Sequence, residues 1–472
     1  ITFMDFSLPL LSAAEYILVE EVGHLVLLLA FIVLAAKLAG EMVERFASLP
    51  SVLGELGAGI LIGPFALGGI AIGSFGPLFE VPKAIDGLGN AVDVITPVSP
   101  ELFFVAEIAA IILLFQAGLE TNRAQFFRWV KPATAVAAGG VVVPFACGFL
   151  ATLFLGFASL DSTQEMLPAL FVGAIMTATS VGITARVLGD IKRLDTPEGT
   201  TVLAGAVVDD VLGILILAIV IGIAETGEIP ITDIGFLGAN IPVPMDIIVI
   251  AAKAIGFWLG LLIIGSLLAN RISNAFLWFR SPGVLVGLAL FLAFLASAVA
   301  EIYFGLAMII GAYTIGLALS DTDLKHRIEE PMIQIGHFVV PIFFVVIGMQ
   351  VDLGAMSAAI TFGIVLSILG ILSKVIGSGL PALAVGFNRR GAYRVAIGML
   401  PRGEVALIIA GIGLSAGVIG QDVFGVAIAM TIVTTMIAPI LLVPAFTAGG
   451  SGLRKPMHGA RAHRDRGRPE DD

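Results

Sequence analysis

Charge is scarce in this chain. Only 13% of its 472 residues are Asp, Glu, Lys or Arg, about half the share of roughly 25% usual in globular proteins. Too little polar surface exists to coat soluble domains of that total length. This disfavours a soluble enzyme, a disordered chain and a nucleic-acid binder, and a net charge of -11 adds no attraction for polyanions. The single cysteine, Cys147, excludes an intrachain disulfide framework and any cysteine-based metal site. The five histidines, His24, His326, His337, His458 and His463, show no metal-ligand spacing. No Gly-x-Gly-x-x-Gly or P-loop pattern occurs, so no bound nucleotide and no cofactor is expected. The opening residues are acidic and lack a basic stretch, so no cleavable leader is expected there. What the chain does have is 58% hydrophobic residues, 56 glycines and 31 phenylalanines, with a mean hydropathy of +1.05. Such a chain must be solvated by lipid.

A spanning helix needs about 20 mainly apolar residues. Thirteen segments qualify, near 22–44, 50–73, 101–120, 132–157, 166–189, 199–224, 246–269, 282–300, 303–319, 331–351, 356–386, 393–417 and 422–447. Runs of this length without period-2 alternation are helical, giving an all-α polytopic membrane protein. Alternate connections are basic, with Arg45, Arg123/Arg128/Lys131, Arg186/Lys192/Arg193, Arg271/Arg280, Lys325/Arg327, Arg389/Arg390/Arg394 and a tail from Arg454 to Arg468. The intervening ones carry mostly acids. Basic connections stay cytoplasmic, which predicts an N-terminus outside and a C-terminus inside. Residues 1–449 form one membrane unit, and the Gly/Arg/Pro-rich stretch 450–472 is expected to be a short disordered basic tail.

A weak internal repeat runs through the spans. The third ends Phe115-Gln116-Ala117-Gly118-Leu119-Glu120 and the tenth Val345-Val346-Ile347-Gly348-Met349-Gln350; the second contains Gly59 and Gly63, the ninth Gly311 and Gly316. Each partner lies seven spans later. An odd offset means opposite orientation, hence inverted-topology repeats, an arrangement of secondary transporters with a midplane binding site. Chance likeness among glycine-rich helices is the alternative.

The few charges inside spans are the informative residues, because each costs at least about 2.5–3.5 kcal/mol at mid-bilayer. Asp209 and Asp210 lie together near the middle of the sixth span. Two adjacent carboxylates cannot cheaply both ionise in low dielectric and should titrate in coupled steps. A hard alkali cation wants oxygen ligands and competes with protons for them. Lys374, in the eleventh span, is too deep to snorkel and needs a carboxylate; Asp209 is its natural partner. A permanent structural ion pair is the plainer reading of both. The fifth span is interrupted at Thr177-Ala178-Thr179-Ser180, and the twelfth by Pro401-Arg402-Gly403-Glu404. Pro401 removes a donor and Gly403 weakens the helix. Broken helices at membrane depth line cavities. Arg402 and Glu404 then either pair locally at a kink or compensate half-helix dipoles. Glu55 and Glu107 are weaker signals that could pair with other helices or face a funnel.

Together, Thr177 to Arg186, Asp209-Asp210, Pro341 to Gly348, Ser373-Lys374 and Pro401 to Glu404 make the sequence similar to bacterial sodium/proton antiporters of the monovalent cation:proton antiporter superfamily, in its Asp-Asp branch. The resemblance implies a homodimer in the cytoplasmic membrane of a prokaryote, with no enzymatic activity. Each protomer would have a dimerisation domain and an ion-transport core, roughly 101–224 and 331–447. Two crossed, unwound helices, the fifth and twelfth spans, would sit in that core, which moves elevator-fashion. It further implies Asp210 as the cation and proton carrier, Asp209 paired with Lys374, Thr179 and Ser180 facing the ion, and electrogenic exchange of two protons for one Na+ (or Li+). A K+/H+ antiporter of the potassium-efflux type is the nearest alternative. An organic-solute symporter would need a larger polar cavity, a channel a filter repeat, and an intramembrane aspartyl protease a Gly-x-Gly-Asp context that Gly189-Asp190 does not supply.

Overall fold

The computed structural model describes residues 13–47, 49–71, 76–85, 91–93, 97–226, 233–236, 239–242, 245–351, 360–415 and 417–454. Among these residues lie fifteen α-helices: α1 (Ala13–Ala47), α2 (Ser51–Ile62), α3 (Pro100–Glu120), α4 (Arg123–Phe154), α5 (Thr163–Thr177), α6 (Val181–Asp190), α7 (Pro197–Thr226), α8 (Met245–Phe276), α9 (Pro282–Phe304), α10 (Met308–Leu319), α11 (Asp323–Met349), α12 (Ile360–Ala384), α13 (Arg389–Gly398), α14 (Glu404–Ser415) and α15 (Gln421–Thr447). Eleven stretches are long and apolar enough to cross a membrane, and Met308–Leu319 and Val405–Leu414 are apolar but shorter. The chain is a multi-span helical membrane protein.

Two of the thirteen expected spans are not among these eleven stretches. The ninth is α10, whose 12 residues reach about 18 Å, short of a hydrocarbon core of about 30 Å. The twelfth is divided between α13 and α14 at the expected break, as the fifth is between α5 and α6. Two small antiparallel hairpins also occur outside the spans, β1 (Lys83–Ile85) with β2 (Ala91–Asp93) and β3 (Asp233–Phe236) with β4 (Ala239–Pro242). Helix ends follow local chemistry. α2 stops at Gly63, whose extended backbone is what a following proline imposes. Ser99 caps α3 by accepting from Leu102 N–H, with Pro100 at the first helical position.

The repeat is visible in the packing. α1 packs on α2 as α9 does on α10; α2 packs on α11 as α10 does on α3; α4 packs on α5 as α12 does on α13. The glycines of the repeated motifs make these contacts. A Cβ on Gly59 would lie 2.8 Å from Gly348 Cα, and one on Gly348 2.9 Å from Gly59 Cα; Gly118 and Gly316 are related in the same way, each 3.0 Å from the other's Cα. Gly54 abuts Ala39 of α1, and Gly311 abuts Ala296 of α9. One chain offset relates Gly54 to Gly311, Gly59 to Gly316 and Ala39 to Ala296. α4 and α12, mates of each other, cross backbone to backbone at Gly139 and Gly377. Small residues let membrane helices approach this closely.

Two bundles result. α4 to α7 pack with α12 to α15, and α1 to α3 with α8 to α11. Thus α3 and α11 pack with the second bundle, although the ranges expected for the core included them. Contacts between the bundles are sparser, chiefly α3 with α6 and α7 with α8.

Residues 449–454 are docked rather than disordered. Arg394 on α13 pairs with Glu198 at the start of α7 at 2.8 Å, both buried, and donates to the carbonyls of Ala445, Gly449 and Gly450. Its guanidinium lies 5.5 Å from the Phe446 ring. Asn388 Nδ2 donates to Ser451 O and Leu453 O, and Arg454 N–H to Gly386 O. The rest of the tail, 455–472, lies outside the described residues.

Gly59→Ala should destabilise the protein by about 1–3 kcal/mol, read as a lower melting temperature in detergent. Gly57→Ala, in the same helix with open space at its Cβ position, should be neutral or stabilising by up to about 1 kcal/mol. Equal effects of the two would remove the crossing as a determinant of packing.

Candidate functional site

The two broken spans cross where the repeat places them. α5 ends at Thr177, and Ala178 and Ser180 are extended before α6 begins at Val181. α13 ends at Gly398, and α14 begins at Glu404 after Pro401 has interrupted the ladder. At the crossing Ser180 N–H donates to Pro401 O at 2.7 Å. A Cβ on Gly403 would lie 2.8 Å from Ser180 Oγ, so the approach requires glycine there.

The last carbonyls of a helix have no partner within it and carry the negative end of its dipole. For α5 that end is met by two cations from elsewhere. Lys374 Nζ, on α12, donates to Thr177 O at 2.6 Å, and Arg402 Nη2 donates to Met176 O at 2.8 Å. Lys374 also donates to Gly140 O of α4 at 2.7 Å and to Asp209 Oδ1 at 3.1 Å. Its three ammonium donors are therefore all used. Arg402 Nη2 additionally donates to Gly370 O at 3.2 Å, and its own carbonyl accepts from the Thr435 hydroxyl. For α13 the corresponding end is met by a neutral group, Thr184 Oγ1 on Gly398 O at 2.7 Å.

Asp209 and Asp210 lie mid-way along α7, 2% and 4% exposed, while Lys374 and Arg402 are fully buried. Asp209 is flanked by Lys374, the Thr179 hydroxyl and Arg402. Asp210 lies within electrostatic reach of Lys374. Two carboxylates and two cations are thus buried close together, with Thr179 and Ser180 also buried.

The structure therefore brings together Asp209, Asp210, Lys374, Thr179, Ser180 and Arg402. Arg402 does not stay local but reaches α5 and α12. Glu404 supplies the first residue of α14, and its side chain lies outside the described residues. Glu55 is buried in α2, 4.0 Å from Arg186, which holds Asp190 at 3.1 Å. Glu107 is half-buried on α3. Among the described residues no cluster of three or more His, Cys, Asp or Glu suits a resident metal.

Beside this pocket a polar funnel of 700 Å³ opens between α3, α6 and α11, with Glu120, Asp190, Asp195, Glu329, Arg186 and His337 on its walls. Leu113 is on its lining, and a Cβ on Gly182 of α6 would touch Leu113, Leu114 and Phe343. An apolar layer therefore stands between the funnel and the start of α6. Sequence reasoning missed the carbonyl ligands of Lys374 and the Glu198–Arg394 pair; the only signal for the former was Gly139-Gly140, two small residues together in an apolar span.

Breaking the buried pair by Lys374→Gln should cost about 3–5 kcal/mol of stability. Adding Asp209→Asn should recover part of it, because no uncompensated carboxylate then remains. Melting temperatures of the four proteins in this double-mutant cycle measure the coupling; strict additivity would mean that the pair does not act as a unit.

A family profile described as "Sodium/hydrogen exchanger, transmembrane" matches residues 27–448. The chain is 34% identical over 438 residues to the high-affinity Na(+)/H(+) antiporter NhaS3 of a Synechocystis species, covering 89% of this chain and 90% of that protein. It is 33% identical over 427 residues to the Na(+)/H(+)-K(+) antiporter GerN of Bacillus cereus, covering 90% and 97%. Among solved structures, the sodium proton antiporter MjNhaP1 of Methanocaldococcus jannaschii shares the fold with a TM-score of 0.61 at 18% identity, covering 88% of this chain and 97% of that one.

Proposed function

The chain belongs to the transmembrane sodium/hydrogen exchanger family, and we propose that it exchanges Na+ or Li+ for protons at Asp209 and Asp210, in the cytoplasmic membrane of a prokaryote. The observation that carries this reading is the fully buried Lys374–Asp209 ion pair beside a second carboxylate at the crossing of two broken spans. A structural ion pair alone gives no reason for Asp210 to lie next to it. Na+ is the transported substrate, and the cycle needs no resident cofactor and makes or breaks no covalent bond other than those to protons.

In the proposed cycle Asp210 is the main carrier, with Asp209, Thr179 and Ser180 supplying further oxygens. Asp209 and Lys374 titrate as one coupled unit holding a proton between them. Na+ arrival displaces the proton of Asp210 and the shared proton of the pair. With both aspartates ionised and Lys374 and Arg402 protonated the four groups sum to zero. Protonating Asp210 gives the proton-loaded form +1. Na+ in exchange for both protons gives zero. One net charge therefore moves per cycle, coupling transport to voltage by about 2.3 kcal/mol per 100 mV. Arg402 and Glu404 compensate half-helix ends and are not carriers.

The packing supports an elevator in which α4 to α7 and α12 to α15 move against α1 to α3 and α8 to α11. The cleft between the bundles has apolar walls from Leu56, Ile60, Ile347, Leu407, Ile428 and Met436, a surface with few directional bonds to break on sliding. A homodimer built on the second bundle completes the reading. K+ as an additional substrate is favoured by one observation, the potassium in the name of the Bacillus cereus relative.

Proteoliposomes at fixed pH gradient and varied membrane potential test the proposal. Na+/H+ exchange should rise with a driving potential, and Asp210→Asn should bring it to the protein-free background while the melting temperature stays within a few degrees. Voltage-insensitive exchange would leave one coupled proton and a purely structural Lys374. Robust exchange by Asp210→Asn would remove Asp210 as carrier.

A further inference from the structure

A second recognition feature lies away from the crossing, on the membrane-facing flank of the first bundle. Between the start of α13 and the end of α15 is an open cleft of 510 Å³. Its mouth carries Arg389 and Arg390, its wall Tyr393, and its floor Ile440, Leu441 and Pro444. Among the described residues no carboxylate lines it. Tyr393 is 44% and Ile440 43% exposed.

The fold does not account for these two arginines. Arg394, one turn further along α13, is consumed by Glu198 and three carbonyls. The Arg390 guanidinium gives a single hydrogen bond, Nη1 to Gly449 O at 3.1 Å, and the residue is exposed. Arg389 is exposed and makes no hydrogen bond or ion pair among the described residues. Both sit in a connection of the basic set, which faces the cytoplasmic leaflet where anionic lipids collect. From Ala448 to Ile440 the floor descends about 12 Å along α15, from the headgroup level into the acyl region. The apolar depth is of no use to a free anion, and two cations with no carboxylate beside them favour a net-negative lipid over a zwitterionic one, whose own cation they repel.

We propose that this cleft is a binding site for an anionic phospholipid. The Arg389 and Arg390 guanidiniums bind its phosphate, in the forked geometry suited to phosphate oxygens. Tyr393 lies at the interface with its ring against the glycerol region, and the first carbons of an acyl chain cover Ile440 and Leu441. The lipid thereby bridges α15 and α13, the helix that leads into the Pro401 break.

The test uses the full-length protein in detergent, titrated separately with dioleoyl-phosphatidylglycerol, dioleoyl-phosphatidylcholine and inorganic phosphate, and reads the melting temperature. Native mass spectrometry counts retained lipid. Phosphatidylglycerol should give a saturable upward shift that phosphatidylcholine and phosphate do not. In R389Q/R390Q the half-saturating concentration should rise about tenfold or more, the loss expected for charged hydrogen bonds. R389Q alone, which removes no protein contact, should give an intermediate rise with an unchanged lipid-free melting temperature. Exchange in phosphatidylcholine vesicles should be the same for wild type and R389Q. The proposal is overturned if both variants respond to phosphatidylglycerol as the wild type does, if phosphatidylcholine gives an equal shift, or if phosphate alone reproduces it.

Discussion

An ammonium group without water must find three acceptors, and the position of Lys374 follows from that need. Its three are Gly140 O on α4, Thr177 O at the end of α5 and Asp209 Oδ1 on α7. One side chain of α12 thereby fixes three other helices relative to one another. The glycine crossing of α4 and α12 brings the Gly140 carbonyl within reach, and the break after Thr177 frees the second carbonyl. Removing either would leave the charge uncompensated where that is most expensive. The carboxylate is the one titratable member of the three, because backbone carbonyls do not titrate.

The two halves of the repeat are alike in packing and unlike in electrostatics. At the end of α5 two cations meet the carbonyls, whereas at the end of α13 a threonine hydroxyl does. The carboxylates lie on the side with the cations. Charge is thus asymmetric on a scaffold whose packing is symmetric.

Much of this was legible in the sequence, for a physical reason. A charge in an apolar span has nowhere to hide, so Asp209, Asp210 and Lys374 stand out, and a carboxylate–lysine pairing follows from scarcity. Pro401 and the run from Thr177 to Ser180 mark the breaks because they weaken a helix whatever surrounds it. The glycine motifs were visible as a repeat, and their use as crossings was not, since close approach is a property of two helices. Arg402 read either as a local partner of Glu404 or as compensation for a half-helix end, and its acceptors Met176 O and Gly370 O, 226 and 32 residues away, could not be named because sequence shows neighbours only. Glu198 and Arg394 looked like ordinary charges at span ends, and only their mutual burial distinguishes them. The shortness of α10 was not legible because the residues flanking it are apolar too.

The clasp around Arg394 has a consequence for how the chain is made. Its parts come from the start of α7, the turn before α13 and residues 449–454. During synthesis the first two are in the membrane long before the third leaves the ribosome. Until then Arg394 can reach Glu198 but not the carbonyls of Gly449 and Gly450, and that edge of the first bundle stays unsealed. Closure of that edge is therefore a late event in biogenesis, set by the order of translation rather than by the stability of any single helix.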